Sequence, residues 1–127
     1  MKFVTYLDGK KERVGVINDD ETWVYPLRSL GMPYSDMQEV IEKMSKAEKE
    51  LIGIYNRKDP DEIYGAVPVK DVGLLAPIPR PKQDIICLGI NYMEHAAESA
   101  RYKKEAFGGE RSYAVYFSKR VNEAVPN

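Results

Sequence analysis

The run Pro77-Ile78-Pro79-Arg80-Pro81 constrains this chain more than any other feature. Its three prolines fix their φ angles and withhold three amide donors, so neither a helix interior nor a central strand passes through it. The run reads as a linker. It divides the 127 residues into an N-terminal domain at 1–80 and the beginning of a second domain at 81–127.

The two sides of the linker differ in pattern. Residues 2–7 and 12–17 are rich in Val, Ile, Tyr and Phe and flank Asp8-Gly9, a hairpin turn signal. Thr22-Trp23-Val24-Tyr25 adds a third strand before Pro26, which completes a small antiparallel β-meander. Ser35 followed by Gln38 fits a capping box for a helix over 36–44, with Met37, Val40, Ile41 and Met44 on one face. Ser45 and Glu48 repeat the capping pattern for a second helix whose apolar stripe is Ala47, Leu51 and Ile54. Residues 69–76 alternate as a strand that leads into the prolines.

Beyond Pro81 the run Ile85 to Ile90, interrupted by Gly89, predicts a buried strand that feeds a helical stretch over 92–105. Tyr113-Ala114-Val115-Tyr116-Phe117 is a further strand. The strands near 84–90 and 113–118 are expected to pair with strands outside this chain and to leave apolar surface exposed. The fold class is therefore α+β, a β-meander with two short helices followed by the first strand-helix-strand of a second, truncated β-rich domain.

Charge excludes two classes of partner. Nineteen basic and twenty acidic side chains are interspersed and give a net charge of -1, so there is no footprint for nucleic acid or an anionic membrane. Cys87, the single cysteine, rules out a disulfide framework and reads as a small buried hydrophobe. The start Met1-Lys2-Phe3 lacks the apolar segment of a signal peptide, so a cytoplasmic location is expected.

Chemistry concentrates around the one histidine. His95 and Glu98 stand at i and i+3, on one face of the expected helix and away from its apolar stripe of Met93, Ala96, Ala97 and Ala100. That arrangement fits a solvated polar face, a dyad in which a carboxylate supports a proton-accepting imidazole, or two members of a metal site. Gly89-Ile90-Asn91 stands between strand and helix, where a sharp turn or an anion contact is accommodated. Lys119 and Arg120 follow an apolar strand and fit a substrate carboxylate or a solvated strand end equally. No G-x-G-x-x-G follows the strand, which leaves a nicotinamide site without support.

Leu88-Gly89-Ile90-Asn91-Tyr92 with His95 and Glu98, preceded by Leu75-Ala76-Pro77-Ile78-Pro79 and followed by Phe117-Ser118-Lys119, resembles the entrance to the catalytic domain of the fumarylacetoacetate hydrolase family. Phe3-Val4-Thr5-Tyr6, Arg13-Val14-Gly15-Val16 and the Ser35 to Met44 segment are similar to the accessory domain of its longer bacterial members. The position where members often carry a proline, ahead of the strand that ends in lysine, falls in Tyr113 to Lys119, which has none. The resemblance implies an enzyme acting on 2-oxo or β-diketo acids by C–C hydrolysis, isomerisation or decarboxylation. His95 and Glu98 would be its catalytic dyad, with Asn91, Tyr92 and Lys119 against a small carboxylate substrate. It also implies a homodimer and Mg2+ or Mn2+ held by carboxylates that lie beyond this chain, so no metal ligand is assigned here and the isolated chain is expected to be inactive. The competing reading is a non-catalytic structural or dimerisation module.

Overall fold

The computed structural model describes residues 1–89 and 115–126. They fall into two compact units, Met1–Pro81 with the tail from Glu123, and Lys82–Asn122. None of the helices among the described residues is long and apolar enough to cross a membrane.

The first unit is α+β. Strands β1 (Lys2–Asp8), β2 (Lys11–Ile17) and β3 (Trp23–Pro26) form an antiparallel meander, and β4 (Val67–Pro68) and β5 (Gly73–Leu74) extend it to the order β4-β3-β2-β1-β5. The first hairpin turns one residue later than the Asp8-Gly9 signal suggests, because Asp8 pairs with Lys11 and the loop is Gly9-Lys10. Gly9 takes φ 62° while Lys10 stays at negative φ, the pattern of a II′ turn with glycine at its first central position.

In place of one strand over 69–76 there is a 3₁₀ turn at Val69–Asp71 followed by the short strand β5, with β4 ending just before the turn. The reason is topological. β4 pairs with β3 and β5 pairs with β1, on opposite edges of the sheet. Across a flat sheet those edges would stand about 19 Å apart, four strand spacings. Five residue steps from Pro68 to Gly73 reach at most about 17 Å even when extended. The sheet therefore curls until its edges approach one another.

Register assigns the two faces of the curl. Phe3, Thr5, Val14, Val16, Trp23 and Tyr25 share one face, and Val4, Tyr6, Gly15, Val24, Pro26 and Val67 share the other. The first carries the main core, in which Val14, Val16 and Tyr25 pack with Leu27, Leu30, Met32, Met37, Val40, Ile52 and Ile63. Val16, Tyr25, Leu27 and Ile52 are fully buried, and each such apolar side chain contributes about 1.5–3 kcal/mol. The Tyr25 hydroxyl donates to the Lys58 carbonyl at 2.8 Å, so its polar end is satisfied inside the core.

Helix α1 spans Met37–Lys43 and α2 spans Lys46–Tyr55. The α1 cap lies one residue later than Ser35 and Gln38 suggest: Asp36 accepts from the Glu39 amide, and Glu39 accepts from the Ser35 amide and hydroxyl. Ile41, expected on the inner face, is 62% exposed. For α2 the expected Ser45–Glu48 capping box is present. Its inner stripe, however, is Ile52 with half-buried Glu48 and Tyr55, while Ala47, Leu51 and Ile54 face outward. Tyr34 donates its hydroxyl to Glu48 at 2.8 Å, which lets a glutamate occupy the inner row.

The proline run is held against the first unit rather than free. Thr5 Oγ1 donates to the Pro77 carbonyl at 2.6 Å and Ala76 is buried. Arg80 bonds Glu12 of β2 and, at 3.2 Å, Glu123 of the tail, and the Ala124 amide donates to the Pro79 carbonyl at 2.7 Å.

In the second unit, β6 (Ile85–Gly89) pairs antiparallel with β7 (Val115–Lys119). The two strands thus take each other as partners, where partners outside the chain were expected. β6 is also not the buried strand its apolar run suggests, since Ile86 is 75% exposed and Cys87 is only half-buried. A two-stranded ribbon covers neither of its faces, and Ile85, Leu88, Tyr116 and Phe117 are exposed as well.

Candidate functional site

The β6–β7 ribbon frames the segment on which sequence chemistry concentrates. β6 ends at Gly89 and β7 begins at Val115, and these two residues are paired. Asn91, Tyr92, His95 and Glu98 lie in the intervening segment, outside the described residues, as does the helix expected over 92–105.

Lys119 is placed. It pairs with Ile85 at the far end of the ladder, four residue steps from Val115, or about 13 Å along the strand. It is exposed, and its Nζ stands 5.8 Å from the centroid of the Phe117 ring, within reach of a weak cation–π contact. The register sets Lys119, Phe117 and Cys87 on one face of the ribbon. A cation over an aromatic ring on an open face suits a carboxylate ligand and equally suits solvent.

The described ribbon does not fit a hard cation. Mg2+ and Mn2+ take oxygen donors, and the strands offer Cys87, Ser118 and Lys119 with no carboxylate. Among the described residues, no group of three His, Cys, Asp or Glu side chains is placed to hold a metal ion.

Motif reading did not single out the surface depressions of the first unit, of which two are rich in polar side chains. One, of about 590 Å³, lies beside the loop after β2 and is lined by Asn18, Asp19, Asp20 and Asp59 among others. Its polar groups are largely occupied in holding the loop: Asn18 Oδ1 accepts from the Thr22 and Trp23 amides, both at 2.9 Å, and Asp19 stands 3.6 Å from Arg57. The other, of about 650 Å³, opens on the inner face of the curl and includes Tyr6, Pro26, Arg28 and Val67. Burial, with the nearby Asp8 charge, holds the Tyr6 phenol above its usual range, so it remains a neutral donor at physiological pH. No local motif announces this second depression, because its residues come from four separate stretches that only the curl gathers.

An α+β chain with an open ribbon at its candidate site defines no single reaction class by geometry alone. No protein-family model matches the chain. It is similar to oxaloacetate tautomerase YisK of Bacillus subtilis (strain 168), at 31% identity over 108 residues, covering 77% of this chain and 36% of the relative. The chain thus spans about a third of the length of the curated relative it matches.

Proposed function

We propose that this chain carries the proton-transfer segment of an enzyme of the fumarylacetoacetate hydrolase type that acts on a small 2-oxo or β-diketo acid. The observation that supports this reading most directly is the similarity to an oxaloacetate tautomerase across most of the chain. It favours isomerisation over C–C hydrolysis. In a keto–enol tautomerisation the C3–H bond breaks, an O–H bond forms at the C2 oxygen, and no group leaves. Such a reaction needs a base poised near neutrality, which an imidazole supplies.

In this reading His95 accepts the carbon-bound proton and Glu98 supports the imidazolium that results, while Asn91, Tyr92 and Lys119 orient the carboxylate substrate. The Mg2+ or Mn2+ that the resemblance implies is assigned to no described residue.

The test is enol-to-keto conversion of oxaloacetate, followed by loss of the enol absorbance, with the full-length protein. The expected result is a rate above that of buffer, a loss of about 100-fold or more in His95→Ala, and a smaller loss in Glu98→Gln. Unchanged rates in both variants would remove the dyad from the mechanism. Absence of any acceleration would overturn the reaction class.

A further inference from the structure

The depression on the inner face of the curl places an unmatched cation and an unmatched carboxylate in one lining. Arg28 follows Pro26 in the 3₁₀ turn Leu27–Leu30, and Asp71 closes the 3₁₀ turn between β4 and β5. Both line the opening. Among the described residues neither side chain makes a hydrogen bond or ion pair, with each other or with anything else. Asp8 also lines it but has a partner in Arg13 at 3.8 Å.

Two hydroxyls add to the polar set. Tyr6 is 3% exposed, yet among the described residues its hydroxyl has no hydrogen-bond partner and it is not among the atoms sealed from solvent. A tyrosine that deep normally satisfies its O–H within the protein. Its register sets it on the inner face of the curl, and the residue lines the opening. Ser29, next to Arg28, likewise has no side-chain partner among the described residues. Pro26 and Val67, on the same sheet face as Tyr6, provide apolar wall. The volume of about 650 Å³ lies within the range of small-molecule sites.

We propose that this opening binds a small zwitterion of the amino acid class, its carboxylate against Arg28 with the Tyr6 and Ser29 hydroxyls donating, and its ammonium against Asp71. Charge decides the class. A phosphate dianion would meet one arginine and two aspartates, whereas a neutral zwitterion matches one free charge of each sign. The site is independent of the reaction proposed above and lies wholly within the first unit.

The experiment is a titration of the 127-residue chain, followed by backbone amide NMR, with L-leucine as probe. The comparison ligands are 4-methylpentanoate, which lacks the amine, 3-methylbutylamine, which lacks the carboxylate, and inorganic phosphate. Leucine is expected to move the amides of Tyr6, Arg28, Gly65 and Val72 saturably at millimolar concentrations, and each one-charge analogue to bind about tenfold more weakly. Arg28→Gln and Asp71→Asn, both on exposed turns, should each weaken leucine by about tenfold, and Tyr6→Phe by a few-fold. Absence of saturable shifts, equal binding of 4-methylpentanoate or phosphate, or unchanged affinity in both charge variants would each overturn the proposal.

Discussion

Gly15 shows how a single residue position is set by the curl. A Cβ built there would lie 2.7 Å from Val24 Cγ1, 3.0 Å from the Tyr25 carbonyl and 3.1 Å from Tyr6 Cε1. Val24 is fully buried and the carbonyl belongs to a paired strand, so neither yields readily. Gly15→Ala is expected to lower unfolding free energy by about 1–3 kcal/mol in urea titrations, the usual cost of overpacking. A change below half a kcal/mol would show that the inner face has slack. In sequence, Gly15 is an ordinary interruption in a strand, because its crowding comes from β1 and β3 together. His95 and Glu98 present the reverse case: their residue types and spacing are legible, and their surroundings are not.

At the scale of the element, α1 carries a pH dependence of its own. Hydrogen bonds from Lys43 and then from Ser35 hold the Glu39 carboxyl below its ordinary 4.5, at about 2. A carboxylate whose folded pKa is depressed stabilises the folded form above its unfolded pKa and loses that contribution as pH falls towards the folded one. Helical signal from α1 is therefore expected to fade between about pH 4.5 and 2, with Glu39→Gln flattening that part of the acid titration by circular dichroism. An identical acid limb in the variant would contradict it. Elements of the first unit were legible in existence and type because strand alternation and caps are local signals. Faces were less so: the stripe of α2 runs through Glu48, Ile52 and Tyr55, and hydropathy alone does not choose a glutamate that Tyr34 has satisfied. The 69–76 segment departs from a plain strand for a related reason, since its turn answers to two sheet edges far away in sequence. In β6 the apolar run gave the right element but no sign that both faces of the ribbon would stay open.

For the whole molecule, the proline run is a boundary in sequence and an anchored strap in structure. Arg80 joins Glu12 to Glu123, and Pro79 accepts from Ala124 across the point where residues 82–122 depart and return. Replacing 82–122 by a short Gly-Ser linker is expected to leave a chain that unfolds in one cooperative thermal transition, with the near-ultraviolet signal of Tyr25 and Trp23 preserved. A broad transition without that signal would show that the first unit depends on the second. The backbone hydrogen bond at the departure point also has a consequence for such a replacement. That bond keeps the two ends left by removing 82–122 beside one another, so a linker of a few residues is enough to join them.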